Sequence, residues 1–441
     1  MRQTILCGVL LFFATIALEA RAAEKTADEL AREFVNRLAQ REYSQAAASF
    51  DSQMSHRLPA DKLKDLWKGI LAQWGELQEI QRIRQQAVQQ YQVAIVTCRF
   101  QKGLLDVKVV FSANQKISGL FFLPAGRYQS PAYVKPNLFK DSEVIIGTGL
   151  WSLPGTLSVP TGEGKLPAVV LVHGSGPQDR NETIGPNQPF RDLAEGLASR
   201  GIVVLRYEKR TKHHQLKMAL LSGNLTVREE TVEDAVSAVR FLQSHERIDR
   251  TRVYVLGHSL GGYLLPQMGA EEQEIAGLIS LAGSTRPLEE IVLAQVKYLS
   301  SLNNEDPAAS RQKLQKLAEQ VAMVKSSGLK PETPADQLPL GIPARYWLAL
   351  RGYDATESAR TLQKPFLVLQ GERDYQVTMD DFTKWKQALG SRKDVRFNTY
   401  PKLNHLFMAG EGIATPTEYL KPGNVAEEVV RDIADWIHGQ K

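Results

Sequence analysis

The stretch Val253-Tyr254-Val255-Leu256-Gly257-His258-Ser259-Leu260-Gly261-Gly262 decides the fold. Four apolar or aromatic residues of strand type run into a serine flanked by glycines, and a helical run follows at once. Strand, sharp turn and helix in that order are the context of a G-x-S-x-G elbow. The serine at such a turn holds a strained backbone to lift its hydroxyl above the sheet, and the glycines remove Cβ atoms that would collide there. A chance glycine-rich turn is the bland alternative. The strand before it, the additional Gly262 and the partners further along the chain weigh against that reading.

A serine hydroxyl is a poor nucleophile at neutral pH and needs a base to take its proton. Of the eight histidines, His405 is placed best, in the loop Pro401-Lys402-Leu403-Asn404-His405 between an apolar run ending at Tyr400 and the final helix. His173 and His258 belong to glycine turns, and His213 and His214 to a basic stretch. His56, His245 and His438 lie earlier in the chain or on amphipathic helices. The imidazole must in turn be held in one tautomer by a carboxylate. Pro365 to Gln370 reads as a strand running into Gly371-Glu372-Arg373-Asp374, which puts Asp374 at its carboxyl end. Glu372 is the near competitor, while Asp380 and Asp381 read as first-turn acids with a capping role. Two backbone amides are expected to receive the negative oxygen of the intermediate. One is that of Leu260, and the other comes from His173-Gly174-Ser175-Gly176, with Ser175 favoured over Gly176.

Around these residues short runs rich in Val, Leu and Ile alternate with helical stretches. The runs are Leu166 to His173, Ile202 to Tyr207, Arg252 to Gly257, Ile275 to Leu281, Pro365 to Gln370 and Val395 to Tyr400. Such alternation implies a mostly parallel sheet covered by helices on both faces. The long interval from Leu281 to Pro365 breaks the rhythm and reads as helices over Leu288 to Leu302, Ala308 to Lys325 and Ala344 to Leu350. An insertion after a sheet strand is a candidate lid, about 284–362. Tyr298, Tyr346 and Trp347 within it either line an acyl pocket or simply pack. Asp179-Arg180-Asn181-Glu182 contacts substrate or, more simply, pairs with itself, and Lys209 to His214 reads as a solvated basic loop rather than a metal or anion site.

Upstream the pattern differs. Thr26 with Glu29 makes a capping box before Leu30, Phe34 and Leu38, and Asp61 to Trp74 repeats apolar residues at helical spacing. Glu79 to Leu123 is β-rich, with a turn at Ser112 to Gln115. Helices followed by an antiparallel sheet give a small α+β domain over 23–123, and Pro124, Gly126, Pro131 and Pro136 mark a linker over 124–141. The catalytic segment then occupies 142–441.

Residues 1–22 read as an export signal, with Arg2, an apolar run from Ile5 to Leu18 and Ala20-Arg21-Ala22, so a periplasmic or secreted location is expected. No later segment approaches a membrane span. Cys7 lies too early in the signal to be a lipid attachment site, and Cys98 is left alone, so no disulfide framework is expected. With 54 basic and 49 acidic residues intermixed and a formal charge of +5, nothing points to nucleic acid or an anionic membrane as partner.

With the elbow, Asp374, His405 and the His173-Gly174-Ser175-Gly176 loop in place, residues 142–441 resemble the α/β-hydrolase superfamily, near its dienelactone hydrolase and prolyl oligopeptidase-like branches. The whole layout is similar to the two-domain bacterial carboxylesterases of EstD type. That resemblance implies an α/β-hydrolase fold with a helical lid, behind a small α+β domain of the cone-shaped, nuclear-transport-factor-like kind. It also implies cleavage of short- to medium-chain carboxylic esters, a small-molecule ester substrate and no metal or organic cofactor. Dienelactone hydrolases proper carry a cysteine nucleophile where this chain has Ser259. A serine peptidase or amidase, an acyltransferase or thioesterase, and a binder on an inactive scaffold are the rival readings.

Overall fold

Thr26 and Glu29 cap the first helix reciprocally: the Glu29 amide donates to Thr26 Oγ1 at 3.3 Å and the Thr26 amide to Glu29 Oε2 at 2.7 Å. Two otherwise orphaned helix-start donors are thereby satisfied. The computed structural model describes residues 25–88, 91–125, 128–220, 224–302 and 307–440. The expected export signal, with Cys7, lies outside them. The fold divides between Leu123 and Pro124 into two units.

In the first unit the helices Ala27–Ala39 and Ala60–Trp74 turn Phe34, Val35, Leu38, Leu63, Trp67 and Trp74 inward. Leu66, on the expected apolar stripe, instead faces out at 38% exposure. The strands β1 (Leu77–Val88), β2 (Tyr91–Phe100), β3 (Gly103–Phe111) and β4 (Ile117–Pro124) follow as one sheet in that order. β2 pairs antiparallel with both β1 and β3. Cys98 is fully buried on β2, and burial pushes its thiol up to about 12. The reactive thiolate is strongly disfavoured at mildly alkaline pH. Native protein is therefore expected to resist a thiol-labelling reagent that reacts within minutes after unfolding, and rapid native labelling would contradict this burial.

The second unit is an eight-stranded sheet. Its strands are β5 (Phe139–Ile146), β6 (Leu153–Pro160), β7 (Leu166–Val172), β8 (Val203–Tyr207), β9 (Ile248–His258), β10 (Gly277–Leu281), β11 (Phe366–Gly371) and β12 (Val395–Tyr400). They lie in the order β12-β11-β10-β9-β7-β8-β6-β5. From β12 to β8 neighbours pair parallel, whereas β6 and β5 run antiparallel. The central strands are buried along almost their whole length, as strands covered on both faces must be.

Alternation along β7 sends Val170 and Val172 to one core and Val169 and Leu171 to the other. Helices Glu233–Ser244, Leu260–Glu271 and Met379–Leu389 cover the first face, and Pro189–Ala198 and Glu427–Gly439 the second. The segment expected as a linker ends inside β5, and neither β5 nor β6 was foreseen from the sequence. The reason is physical: β5 is an edge strand whose Lys140, Asp141, Ser142 and Glu143 are all exposed, so it carries no apolar alternation to read.

The insertion after β10 folds as the helices Leu288–Leu302, Pro307–Lys325, Ala344–Leu350 and Ala355–Arg360. Its first part closes small clusters of its own, such as Val292 with Leu317 and Val321. Tyr346, Leu350, Ala355 and Ala359 instead join the main core, so the returning half of the insertion is anchored to the sheet. Among the described residues no helix is long and apolar enough to cross a membrane.

Candidate active site

β9 delivers Ser259 into a turn at φ 55° and ψ −115°, and helix Leu260–Glu271 begins at the next residue. A non-glycine residue held there costs about 1–3 kcal/mol of backbone strain. The packing that enforces it is visible at the glycines. A Cβ on Gly257 would meet the Gly261 carbonyl carbon at 2.4 Å, and one on Gly261 would meet the Val172 oxygen at 2.5 Å. The elbow is thus wedged against β7, and the Ser259 amide is fixed by the Leu281 carbonyl at 3.0 Å.

Chain connections leave β7 toward β8 and β9 toward β10, on opposite sides, so a crevice opens beyond the carboxyl ends of β7 and β9. Asp374 follows β11 and His405 follows β12, at the same edge of the sheet. His405 Nδ1 and Asp374 Oδ2 lie 2.6 Å apart, both residues being almost fully buried. The other carboxylate oxygen accepts from the Gln376 and Val377 amides at 2.7 and 3.1 Å. The histidine loop is braced by Asn404, whose Oδ1 accepts from the Leu406 and Met408 amides. Gly371 lets that loop cross closely, since a Cβ there would lie 2.5 Å from the Leu403 oxygen.

Ser175, Gly176, Ser259 and Leu260 open on one cavity of about 280 Å³. Its far wall is largely apolar and includes Ile291 and Val292 of the insertion. Among the described residues, the amides of Ser175 and Leu260 donate to no protein acceptor, whereas the Gly174 amide is held by Glu182 Oε1 at 2.8 Å. The two residues expected as oxyanion donors thus line the same cavity as the nucleophile, whereas the Gly174 amide is already taken. Base and carboxylate are joined. Among the described residues the Ser259 hydroxyl makes no hydrogen bond, so the link from nucleophile to base is open in this conformation; such links commonly align only around bound substrate.

Residues 167–411 match the family described as serine aminopeptidase, S33. Over 412 residues the chain is 38% identical to the esterase EstD of Thermotoga maritima, a match covering 93% of this chain and 95% of that one. The chain belongs to the serine-hydrolase family of EstD, within the α/β-hydrolase superfamily. Residues 31–120 match a second family, described as a protein of unknown function. Similar solved structures include Est1E from Butyrivibrio proteoclasticus, at 16% identity and a TM-score of 0.44 over 67% of this chain and 99% of that one. Another is the acylaminoacyl peptidase of Pyrococcus horikoshii, at 14% identity and a TM-score of 0.46 over 83% of this chain and 56% of that one.

In this α/β-hydrolase the remaining sequence candidates separate clearly. Glu372 accepts from Thr399 on the surface, away from His405. Asp380 is exposed, but Asp381, expected to cap, is fully buried and turns its carboxylate to another segment: it pairs with Arg286 at 2.6 Å and accepts from the Thr285 amide at 2.9 Å. Arg286 lines the cavity. Of the three aromatic residues in the insertion, Tyr346 lines the cavity, Tyr298 stacks on Tyr375, and Trp347 is buried in a cluster of the insertion itself.

Lys209 and Arg210 correct the expectation of a solvated basic loop. Lys209 is 2% exposed and pairs with Glu230 at 2.8 Å, and Arg210 is buried against Asp234. Glu182 likewise leaves its polar loop and goes inside, beside His258. No cluster that could hold a metal ion occurs among the described residues.

Proposed function

We propose that this chain hydrolyses carboxylic esters through an acyl-serine intermediate. The observation that carries the reading is the 2.6 Å contact between Asp374 and His405 at the sheet edge that also presents strained Ser259 to the cavity. Ser259 Oγ attacks the ester carbonyl carbon while His405 Nε2 takes the hydroxyl proton. Asp374 holds the opposite ring nitrogen as a donor and stabilises the imidazolium. The Leu260 and Ser175 amides receive the charge that develops on the carbonyl oxygen. His405 then returns the proton to the departing alcohol, and a water repeats the sequence to free the acid. So written, the reaction needs no metal or organic cofactor.

A cavity of about 280 Å³ with an apolar wall suits a small-molecule ester with a short or medium acyl chain. The test compares p-nitrophenyl acetate, butyrate and palmitate with peptide p-nitroanilides under one set of conditions. Acetate and butyrate are expected to turn over with kcat/KM well above both the palmitate and the anilides. Faster turnover of the anilides would replace this reading by an amidase or peptidase.

A further inference from the structure

Two buried ion pairs outside the triad converge on a single residue, Gly174 in the oxyanion loop, and hold the peptide groups on its two sides. On its amide side, Glu182 Oε1 accepts the N–H at 2.8 Å. The other oxygen of the same carboxylate lies 2.9 Å from His258 Nδ1, although too far off line to count as a hydrogen bond. His258 Nε2 in turn donates to the main-chain oxygen of His405 at 2.9 Å, and the two rings pack with centroids 4.7 Å apart. On its carbonyl side, Gly174 accepts from Lys209 Nζ at 2.7 Å. Lys209 pairs with Glu230, which accepts from the Tyr346 hydroxyl of the insertion at 2.6 Å. Gly174 has no room to drift, since a Cβ there would already lie 3.1 Å from that of Ser259.

We infer that Glu182 and Lys209 are positioning residues of the oxyanion hole, Glu182 clamping the peptide before Gly174 and Lys209 the peptide after it, so that the Ser175 amide in that second peptide is aimed at the reacting carbonyl oxygen. The inference rests on the acyl-serine reading above. Through His258 the same clamp is referenced to the backbone of the catalytic base, so donor and base are set against one another. Taking ions out of water is costly, and a neutral, well-packed interior would hold a loop as firmly for stability alone. Oriented donors, by contrast, act at full strength only when fixed before charge develops.

The carbonyl of His405 only accepts, so His258 Nε2 carries a proton, and the Glu182 carboxylate 2.9 Å from Nδ1 favours a second proton there. Burial opposes that charge, but the adjacent Glu182 overrides it and holds the ring above its ordinary value. Burial likewise opposes the ionised Glu182, yet His258 brings its carboxyl below the usual range.

The test is Glu182→Gln, whose amide oxygen can still accept from Gly174 but whose charge is gone. Its kcat on p-nitrophenyl butyrate is expected to fall about thirtyfold with KM nearly unchanged. Affinity for an alkyl boronic acid, a tetrahedral oxyanion mimic, should fall by a similar factor. A folded variant with wild-type kcat and boronate affinity overturns the inference while leaving the acyl-serine reading intact, because Ser259→Ala tests that separately. Should Glu182→Gln fail to fold, nitrogen-15 spectra of the histidine-labelled wild type decide. One histidine protonated on both ring nitrogens at mildly alkaline pH is expected, and a spectrum without one overturns the paired-ion clamp.

Discussion

Ser259→Ala is expected to reduce kcat for p-nitrophenyl butyrate by about 10⁵-fold or more, to the background of the assay, while the protein remains folded. Without the hydroxyl no acyl-enzyme forms, and His405 and Asp374 have no proton to move. The oxyanion amides and the cavity survive, so substrate still binds, and what remains is the modest acceleration of water attack that such sites retain. Backbone strain at φ 55° survives as well, because alanine keeps the Cβ; the melting temperature should stay close to that of the wild type. The measurement is active-site kinetics beside a thermal melt. An unchanged rate in a folded variant would remove Ser259 from the mechanism.

Asp374→Asn should cost about 10⁴-fold in kcat, for a reason that can be traced atom by atom. Asp374 Oδ1 accepts two backbone amides, from Gln376 and Val377. In the variant those donors keep the amide oxygen on their side, which turns the new NH₂ group toward His405. The ring nitrogen facing it must then accept, so the proton moves to the nitrogen that should take one from Ser259. The base is present but in the wrong tautomer. Gln370 Nε2, which donates to Asp374 Oδ2 at 3.2 Å, would meet a second donor there and adds a further penalty. Kinetics of the purified variant with its circular dichroism spectrum check this, and retention of more than a tenth of wild-type kcat would contradict the assigned role.

The elements that carry chemistry were readable because each is a chemical type at a strand end. Gly257 to Gly262, Asp374 and His405 follow strands whose apolar runs are unmistakable, and parallel strands put their carboxyl ends on one edge. Strand β5 was not readable, because an exposed edge strand of Lys140, Asp141, Ser142 and Glu143 has the composition of a loop. The burial of Glu182, Lys209 and Asp381 is hidden from the sequence for another reason. Charge in a polar stretch normally signals a solvated surface, and each of these is buried by a partner remote in sequence: Arg286 and Asp381 stand 95 positions apart, and Lys209 and Gly174 35. A local pattern does not encode that distance. His258 did offer a clue, since an ionisable residue inside the elbow, between the strand and the nucleophile, has almost no route to water.

The insertion after β10 joins the main core through Tyr346 and Leu350, while Val292 of its first helix packs in a small cluster within the insertion. Ile291 and Val292, which face the cavity, belong to that first helix. Changes at these two positions, which belong to neither main core cluster, reshape the space offered to an acyl chain while leaving the packing of the sheet in place. Selection acting on diet can therefore work on one part of the polypeptide and selection acting on folding on another, which gives descendants of this chain a low-risk way to trade one ester for the next.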